Sequence, residues 1–453
     1  MLTYNLDGKN KYYTLYCRIR DDILSGNLKG GERLPSKRAL ALNLSVSVIT
    51  VQTAYEQLLA EGYIISKERS GYFVADVDAH VGAGSAAVTV ERRPPSSYKY
   101  DLVSGSTPAG LFPFSVWARL MRSVLSQEGE HLLERVPCRG ELSLRREISA
   151  YLYRMRGVTV QPARIVVGAG AEYLYGIIVQ LLGRDKLFAV ENPGYGKIYS
   201  TYSLYGAKCA FIPVGANGAE VDAVQSSGAQ VAHISPSHQF PTGAVMPVSD
   251  RLSLIKWARK SSAFIVEDDY DSEFRLVGKP LQSMLELCPD RVIYVNTFSK
   301  SLAPSMRMGY MVLPPELMGR FLGIFSKSAN VVPLFEQKTL AAMIGGGHFE
   351  RHINRLKNYY RSVRQEVLAA ICSLPFTAQV NDTGSGLHMT VKFPSADSDD
   401  QIRRMAEERG INIRCLGDYL LTPQSGYEKV AVINYSGLKK GEAAQIAALF
   451  HKS

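Results

Sequence analysis

The chain has 453 residues, a formal net charge of +10 and a pI near 9.1, with 46% hydrophobic and 21% charged residues. This composition excludes a largely disordered protein and is typical of a folded chain with a sizeable core. The length predicts a small and a large domain, and the basic charge suits a nucleic-acid partner without requiring one.

The sequence contains neither a membrane-spanning stretch nor a signal peptide core. No run of about 18 apolar residues occurs, and the first residues, MLTYNLDGKNKYY, are polar. We therefore expect a cytoplasmic protein with no membrane partner. The cysteines are scattered without a CxxC pair, which argues against zinc or other metal sites and against a disulfide framework. They are Cys17, Cys138, Cys209, Cys288, Cys372 and Cys415.

Residues 1–75 carry the pattern of three helices followed by a strand hairpin. Leu15, Ile19 and Ile23 recur at a spacing of four, which predicts a buried stripe on the first helix. Ser36 and Ser47 are predicted to cap the second and third helices. Short strands are predicted at 63–66 and 72–74, so the expected domain is a winged helix-turn-helix.

The segment LPSKRALALNLSVSVITVQTAYEQLLAEGYIISKERSGYFV resembles the winged helix of GntR-type regulators over nearly its whole length. In that family the third helix enters the major groove of double-stranded DNA, and the wing touches the backbone or the minor groove. The resemblance implies base contacts from one set of side chains and phosphate contacts from another. The first set is Ser47, Val48, Thr50 and Gln52, and the second is Ser36, Lys37, Arg38, Lys67 and Arg69.

Some of these DNA-binding assignments have a simpler alternative. Lys37 and Lys67 taken singly fit a solvated surface equally well, and only their clustering on one proposed face favours DNA. An arginine commonly follows the capping serine in that family, whereas Val48 stands here. Because a charge-assisted base contact is lost at that position, the operator sequence is not predicted.

Residues 76–100 have the glycine, proline and serine content of a linker, and 101–453 are predicted to form the large domain. Short apolar runs at 187–190, 231–234, 264–266 and 292–295 alternate with helical segments. This alternation predicts an α/β fold with a mostly parallel sheet covered on both faces. A long helix is predicted at 347–374, within a small C-terminal α/β subdomain at about 347–453.

The segment NTFSKSLAPSMRMGYMVLP, residues 296–314, places Lys300 directly after an apolar strand. Side chains that follow such strands lie at the carboxyl edge of the sheet, where ligands bind. Thr297, Ser299 and Arg307 are close to Lys300 in sequence. An isolated lysine is usually a surface group, but the apolar, hydroxyl and proline surroundings of this one favour a site.

Three further segments are predicted to reach the same edge. FIVEDDYDSEF, residues 264–274, delivers a cluster of carboxylates that includes Asp268, with Tyr270 beside it; without histidine companions a metal is the weaker interpretation. ENPGYGKIYSTY, residues 191–202, contributes Tyr195, for which a core position is the alternative. VGAGAEYL, residues 167–174, places the amides of Gly170 and Ala171 at a helix start, where they can receive a phosphate.

These groups match the requirements of pyridoxal 5′-phosphate (PLP): an amine for its aldehyde, a carboxylate for its pyridine nitrogen, and hydroxyls and a cation for its phosphate. Together with SPSHQFPTG at 235–243 and CRGELSLRREI at 138–148, the segments resemble fold type I aminotransferases. The order winged helix, linker, aminotransferase domain resembles the MocR-type regulators of the GntR group, over nearly the whole chain.

The resemblance implies a role for each residue and a head-to-tail homodimer. Lys300 would form the Schiff base, Asp268 would partner the pyridine nitrogen, and Tyr270 would partner the 3′-oxygen. Tyr195 would stack on the ring and Arg307 would anchor the phosphate. Thr297, Ser299, Gly170 and Ala171 are the further phosphate candidates.

Two positions depart from the aminotransferase pattern. The asparagine that usually precedes PTG is Phe240 here, with Gln239 before it. The C-terminal segment KVAVINYSGL, residues 429–438, lacks the arginine that clamps a substrate carboxylate in aminotransferases. Arg414 lies upstream and is a candidate substitute. The missing clamp makes efficient transamination less favourable and points to PLP itself as the signal, with an amine or amino acid that forms an aldimine as the alternative.

The sequence thus leads to two main hypotheses. The first is a PLP-dependent DNA-binding transcription regulator that controls PLP synthesis or amino-acid metabolism, and the second is an aminotransferase with an appended DNA-binding domain. A regulator that has lost PLP is disfavoured by the retained Lys300, Asp268 and Arg307.

Overall fold

The computed structural model describes residues 2–6, 10–76, 98–105, 107–108, 110–278, 281–376 and 378–451. The chain divides into two compact units, Met1–Pro95 and Ser96–Ser453. Most of the predicted linker, residues 77–97, lies outside the described residues. No helix within the described ranges combines the length and the apolar character needed to cross a bilayer.

The first unit is a winged helix-turn-helix. Its elements are α1 (Lys11–Leu24), α2 (Lys37–Asn43), α3 (Val48–Ala60), β1 (Ile64–Lys67) and β2 (Gly71–Val74), with β1 and β2 antiparallel. The predicted stripe of α1 is buried in the core of this unit, at Leu15, Ile19 and Ile23. Both predicted caps are confirmed, because the Oγ atoms of Ser36 and Ser47 accept hydrogen bonds from the first-turn amides of α2 and α3.

The second unit is built on an eight-stranded sheet with the order β4-β11-β10-β9-β8-β5-β6-β7. Six strands are parallel to one another, while β11 and β7 run antiparallel to their neighbours. The first strand of the unit, β3 (Tyr100–Asp101), lies outside this sheet. The members are β4 (Ile165–Gly168), β5 (Leu187–Asn192), β6 (Lys208–Gly215), β7 (Gly218–Ala219), β8 (Val231–Ile234), β9 (Phe264–Asp268), β10 (Val292–Thr297) and β11 (Gly309–Val312).

Successive residues of the central strands pack into two different hydrophobic clusters, one on each face of the sheet, so both faces are covered. On β10, Val292 and Tyr294 pack into one cluster, whereas Ile293 and Val295 pack into the other. The predicted α/β fold with a mostly parallel sheet covered on both faces is confirmed. The helices of the large part of the unit are α4 (Phe114–Glu128), α5 (Leu142–Arg156), α6 (Ala171–Leu182), α7 (Gly196–Leu204), α8 (Val221–Ser226), α9 (Val248–Lys260), α10 (Met284–Leu287), α11 (Pro315–Phe325) and α12 (Leu334–Gly345).

The C-terminal part contains a smaller antiparallel sheet with the order β12-β13-β16-β15. The long helix predicted at 347–374 is confirmed as α13. A separate two-stranded parallel pair joins β14 to β3. Residues near position 100 therefore pair with the C-terminal part of the chain. The elements are α13 (His348–Cys372), β12 (Gln379–Asn381), β13 (His388–Lys392), α14 (Asp399–Glu407), β14 (Ile411–Asn412), β15 (Arg414–Cys415), β16 (Val430–Asn434) and α15 (Glu442–Ala448).

Candidate functional site

A cavity of about 360 Å³ lies where several parallel strands of the large sheet end. Eight of the nine residues predicted for the cofactor contribute to its wall, although they come from segments far apart in sequence. Strands β9 and β10 deliver their final residues to it, as expected for the carboxyl edge of an α/β sheet. The eight are Ala171, Tyr195, Asp268, Tyr270, Thr297, Ser299, Lys300 and Arg307.

Lys300 extends into this cavity just after the end of β10. Its Nζ donates a hydrogen bond to the carbonyl oxygen of Gly105 at 3.2 Å. A Cβ built on Gly105 would lie 1.8 Å from that Nζ, so only glycine leaves room for the lysine in this position. Burial lowers the pKa of the Lys300 ammonium group, and the charge of Asp271 opposes this shift. The amine is therefore closer to its nucleophilic form than an exposed lysine would be.

Asp268 is the last residue of β9, and only one of its two carboxylate oxygens has hydrogen-bond partners. Its Oδ2 accepts a hydrogen bond from the Tyr175 hydroxyl at 2.5 Å and lies 3.3 Å from Nε2 of His233. Its Oδ1 is buried and has no hydrogen-bond partner among the described residues. A buried carboxylate oxygen without a donor is costly, so the position suits a ligand that brings an N–H group, as a protonated pyridine does.

The two carboxylates next to Asp268 in sequence point to the other face of the sheet. Glu267 accepts hydrogen bonds from Ser283 Oγ at 2.6 Å and from the amides of Met284 and Leu285 at the start of α10. Asp269 accepts from the Tyr294 hydroxyl. The three carboxylates therefore share the predicted strand end but not one site, because side chains alternate between faces along a strand.

A group of polar side chains that the sequence did not reveal lies beside Tyr270. The Tyr270 hydroxyl is 3.2 Å from His238 Nδ1, and that nitrogen is 2.9 Å from Asp271 Oδ2. His388 packs against His238 with ring centroids 4.4 Å apart. Burial, followed by the charges of Asp271 and Asp268, raises the pKa of Tyr270 well above its ordinary value, so its hydroxyl stays protonated and can donate.

This group is also the one place in the described part of the chain where three potential metal ligands converge. Ligand atoms of His238, Asp271 and His388 lie within 4.8 Å of one another. No metal site was expected from the sequence, because the two histidines lie too far apart along the chain to suggest one. His238 Nδ1 is hydrogen-bonded to Asp271, whereas the Nε2 atoms of His238 and His388 are buried without a partner among the described residues.

Aromatic rings form the opposite wall of the cavity. The rings of Tyr195 and Phe240 meet edge to face with centroids 6.0 Å apart, and Phe240 makes similar contacts with His388 and Tyr419. Gln239 turns away and accepts from the amide and hydroxyl of Thr242. Phe240, rather than a polar side chain, therefore occupies the wall at the position where aminotransferases usually have asparagine.

The phosphate candidates meet at the start of α6. Gly170 caps this helix with φ +90°, and a Cβ there would lie 3.0 Å from Nη2 of Arg307. Nη2 of Arg307 also donates to the carbonyl oxygen of Ala169 at 3.4 Å. The Gly170 amide donates to the carbonyl oxygen of Gly168 at 2.9 Å, so of the two predicted amides it is that of Ala171 which remains available. The first-turn amides that follow Gly170, together with the guanidinium group of Arg307, provide a suitable position for a phosphate.

Arg414 is not part of the described cavity wall. It lies on β15 opposite Val432, and its guanidinium carbon is 6.0 Å from the centre of the Tyr419 ring. Within that wall the cations are Lys197, Lys300 and Arg307, and Lys197 forms an ion pair with Glu172 at 2.9 Å. Besides the phosphate candidate Arg307, the described wall thus offers no guanidinium group for a substrate carboxylate.

The residues predicted to contact DNA lie on the surface of the first unit. Val48 and Ile49, at the start of α3, are 42% and 74% exposed. Thr50 contacts Ser47 through its hydroxyl at 2.8 Å, and Gln52 donates to Glu56. Lys67 lies over the ring of Phe73 at 4.8 Å. Arg69, in the turn between β1 and β2, is exposed with a positive φ.

A groove between α2 and the wing contains Arg33, a basic residue that was not among the predicted DNA contacts. Its wall includes Ser36, Lys37 and Arg38, and also Arg33. Arg33 forms an isolated β-bridge with Phe73 of β2, which holds it next to the wing. The pairing of a residue before α2 with the wing is a tertiary contact, and no local pattern in the sequence indicated it.

Comparison with known proteins connects both units to one family. Residues 11–74 match the bacterial regulatory proteins of the gntR family, and residues 101–431 match the aminotransferases of class I and II. The probable rhizopine catabolism regulatory protein MocR of Rhizobium meliloti is 33% identical over 448 residues, covering 94% of this chain and 90% of that protein. The chain belongs to the MocR-type GntR regulators.

Other relatives of this MocR-type regulator also match along nearly their whole length. An uncharacterized HTH-type transcriptional regulator of Bacillus subtilis, YdeL, is 35% identical and covers 89% of this chain and 88% of its own. The HTH-type pyridoxine biosynthesis transcriptional regulator PdxR of Corynebacterium glutamicum is 30% identical and covers 89% and 87%. The predicted combination of a GntR winged helix and an aminotransferase-like domain is therefore confirmed.

Solved structures agree with the fold of the second unit of this MocR-type regulator. An archaeal alanine:glyoxylate aminotransferase superposes with a TM-score of 0.70 at 22% identity, covering 78% of this chain and 91% of that one. The α-aminoadipate aminotransferase LysN of Thermus thermophilus gives a TM-score of 0.66 at 22% identity, covering 78% and 92%. At this identity the likeness is one of fold alone.

Proposed function

We propose that this MocR-type regulator binds DNA through its winged helix and senses PLP through its aminotransferase-like unit. The observation that carries the proposal is the unpaired, buried Oδ1 of Asp268 in the same cavity as Lys300. PLP needs an amine that reacts with its aldehyde and a carboxylate oxygen that pairs with its pyridine nitrogen. The cavity offers both, in the desolvated amine of Lys300 and the unpartnered Oδ1 of Asp268.

The remaining side chains of the cavity fit the other parts of the cofactor. Tyr270 would donate to the 3′-oxygen, and Tyr195 would cover the ring. The phosphate would lie at the start of α6, held by Arg307, by the hydroxyls of Thr297 and Ser299, and by the backbone amide of Ala171. The Gly170 amide would join them only by releasing the carbonyl oxygen of Gly168. When bound, PLP supplies an aldehyde that reacts with amines, while the protein orients it and excludes water.

PLP itself is our proposed signal, with an amine or amino acid as the alternative ligand. The described cavity wall has no guanidinium group for a carboxylate apart from Arg307, so an ordinary amino acid lacks its main electrostatic anchor. The name of the PdxR relative, which refers to pyridoxine biosynthesis, supports the same choice. Control of PLP synthesis or of amino-acid metabolism is the function that follows.

For the DNA-binding side, we propose residues 1–75 as the domain that reads the operator and 101–453 as the effector domain. Ser47, Val48, Thr50 and Gln52 would face the bases. Ser36, Lys37, Arg38, Lys67 and Arg69 would contact phosphates, and the position of Arg33 in the same groove adds it to this set. We further propose a head-to-tail homodimer in the cytoplasm, as is usual for regulators of this architecture.

The cofactor proposal is tested with Lys300→Ala in the full-length protein. PLP is titrated while the absorbance of the bound cofactor and the affinity for DNA beside the protein's own gene are followed. Wild type should develop the absorbance band and change its DNA affinity, whereas Lys300→Ala should do neither. Lys256→Ala, an exposed lysine on α9, is the matched control and should behave as wild type. An unchanged response in Lys300→Ala would overturn the proposal.

The DNA proposal is tested by the salt dependence of binding. Lys37→Gln and Arg38→Gln should each weaken binding to operator and unrelated DNA by a similar factor. Each should also reduce the slope of log affinity against log salt by about 1, because one phosphate contact is lost. Substitution of Gln52 should instead change the preference between DNA sequences. A charge variant that leaves the salt slope unchanged would remove that residue from the phosphate-contacting set.

The second candidate function is an aminotransferase with an attached DNA-binding domain. It is favoured by the retention of Lys300, Asp268 and Tyr270 in one cavity. Repeated turnover of an amino acid and a keto acid, measured with PLP present, would support it. A single conversion without turnover would favour the regulator.

A further inference from the structure

A second polar cavity lies under the other face of the large sheet. Its volume is about 40 Å³, and it is enclosed by α5, α13, β10 and the turn after β9. Tyr294 of β10 pairs in register with Glu267, and Val295 pairs with Asp268, so Tyr294 and Asn296 point away from the face that carries Asp268. We call it the reverse-face cavity. It shares no described lining residue with the cavity around Lys300.

Two arginines of the reverse-face cavity have N–H groups without acceptors. The Arg156 side chain is only 6% exposed, and its Nη1 lies 3.3 Å from Asp269 Oδ2, but its Nε has no partner among the described residues. Nε and Nη1 of Arg275 are likewise buried and unpartnered within the described part of the chain. Buried donors without acceptors are costly, and three of them at one small cavity indicate a missing acceptor.

The charges around the reverse-face cavity also indicate a missing anionic acceptor. Three cations, Arg156, Arg275 and Lys357, face the carboxyl groups of Glu273 and, through Arg156, of Asp269. Arg156 is also within electrostatic reach of the Glu267 carboxyl group and of a fourth cation, Arg251. One positive charge is therefore in surplus even when all three carboxyl groups are ionised. The Oε1 atom of Glu273 already accepts hydrogen bonds from the Tyr151 hydroxyl at 3.3 Å and from Asn296 Nδ2 at 3.2 Å. A surplus charge in such a partly buried place is stabilised by a counterion.

We propose that the reverse-face cavity binds a small oxyanion, a carboxylate or phosphate group, through Arg156, Arg275 and Lys357. At roughly 10–15 Å³ for each water-sized group, the cavity of about 40 Å³ holds about three such groups, which matches the three heavy atoms of a carboxylate, whereas a phosphate is larger and requires the side chains of the wall to move apart. Guanidinium groups match these anions because their N–H donors form a planar fork. The site is additional to the phosphate position at Arg307.

The proposal is tested with inorganic phosphate and with acetate on the full-length protein, by calorimetric titration against chloride at equal ionic strength. Excess PLP is present throughout. Wild type should bind one equivalent of at least one of the two oxyanions. Lys357→Gln and Arg275→Gln should each weaken that binding by roughly tenfold or more, and Lys357→Arg should restore most of it. Which of the two oxyanions binds more tightly distinguishes a carboxylate from a phosphate site.

Two controls separate this site from other anion sites. Arg307→Gln should retain the oxyanion binding, because Arg307 belongs to the other cavity, and Lys256→Gln, on the exposed side of α9, should behave as wild type. Loss of binding in Arg307→Gln together with full binding in Lys357→Gln would place the anion at the cofactor cavity and overturn the proposal. No oxyanion binding beyond chloride in wild type would overturn it as well, since water alone would then fill the cavity.

Discussion

Three consecutive carboxylates at the end of β9 have different environments on the two faces of the sheet. Glu267 is fully buried and its oxygens accept three hydrogen bonds from the start of α10. Asp269 accepts from Tyr294 and pairs with Arg156 through Oδ2, and its Oδ1 is buried without a partner among the described residues. Asp268, between them, points to the other face, where its own unpartnered Oδ1 lies in the cavity that holds Lys300. The sequence alone does not distinguish the three, but the face of the sheet and the hydrogen bonds of Glu267 do.

The comparison of Glu267 with Asp268 indicates how a structural carboxylate can be separated from a binding one. A carboxylate whose lone pairs are all occupied by the protein stabilises the fold and has nothing left for a ligand. One that is buried with an unoccupied oxygen lowers stability until a ligand donates to it. We therefore expect substitutions on the reverse face to reduce the free energy of unfolding, and substitutions on the cavity face to reduce cofactor affinity.

The largest effect is expected for Glu267→Ala. It leaves the Ser283 hydroxyl and the Met284 amide buried without acceptors and the Leu285 amide with only Ser283 Oγ, so the large unit should lose about 3 kcal/mol or more of unfolding free energy. Urea unfolding measures this loss, and the folded fraction should still bind PLP normally. Glu316→Ala, an exposed acid on α11, is the control and should change stability by less than about 0.5 kcal/mol. A loss below about 1 kcal/mol for Glu267→Ala would break the comparison.

Asp268→Asn should lower PLP affinity by roughly tenfold or more while the protein stays folded. The substitution keeps the shape of the side chain but removes the charge that would hold the protonated pyridine nitrogen. PLP titration followed by absorbance gives the affinity. Asp222→Asn, an exposed acid on α8, should have no effect. Should Asp269→Asn reduce PLP affinity more than Asp268→Asn, the roles that we assign to the two faces would be reversed.

A smaller effect is expected for Gly105→Ala. The new methyl group would occupy the position of the Lys300 Nζ, so the end of the lysine must move away from its present place. Covalent attachment of PLP should become several-fold slower, but stability should change little because the displaced group is the end of a flexible side chain. Stopped-flow absorbance measures the rate. Gly319→Ala, where a Cβ has nothing within 4 Å, is the control, and equal rates in both variants would contradict the expectation.

The last effect is on the pH dependence of stability and concerns Glu191 on β5, a buried carboxyl group that lies outside the group of three on β9. Burial raises its pKa to about 8 from an ordinary value near 4.5, although hydrogen bonds from Ser235 and Gln239 oppose this shift. The group is neutral in the folded chain and ionises when the chain unfolds. Its contribution to stability is thus complete below pH 4.5 and is lost as the pH rises towards 8.

Glu191→Gln should therefore flatten the pH dependence of stability. Between about pH 5 and about pH 8, wild type should lose more unfolding free energy than the variant, as measured by urea unfolding at the two values. Glu273, whose pKa burial raises to about 7, adds a loss of the same sign and remains in both proteins. An identical loss in wild type and variant would show that Glu191 is already ionised in the folded chain.

Local patterns predicted most of the fold. Ser36 and Ser47 cap their helices as expected, because capping depends only on residues within one turn. The apolar runs became β5, β8, β9 and β10, and the long helix became α13. The pairing of β3 with β14 was not foreseen, since it joins residues more than 300 positions apart and neither strand has a pattern of its own.

The cofactor cavity was also partly predictable. Lys300, Asp268 and Arg307 each follow a recognisable motif, and they line one cavity. Tyr175 and His233, which hold Asp268, were missed because a tyrosine in an apolar helix and a histidine in an apolar strand look like ordinary core residues. Their roles become visible only when α6, β8 and β9 are packed together.

By itself, the sequence determined the two kinds of unit, their order, and the chemistry carried at the strand ends. These features depend on periodicity and on motifs, which are local properties of a chain. The tertiary structure decided which carboxylate faces the cofactor cavity, that the Phe240 ring lies in the wall of this cavity, and where Arg156, Arg275 and Lys357 meet. Such features depend on which distant hydrogen-bond partners packing brings within reach, and no local pattern encodes that.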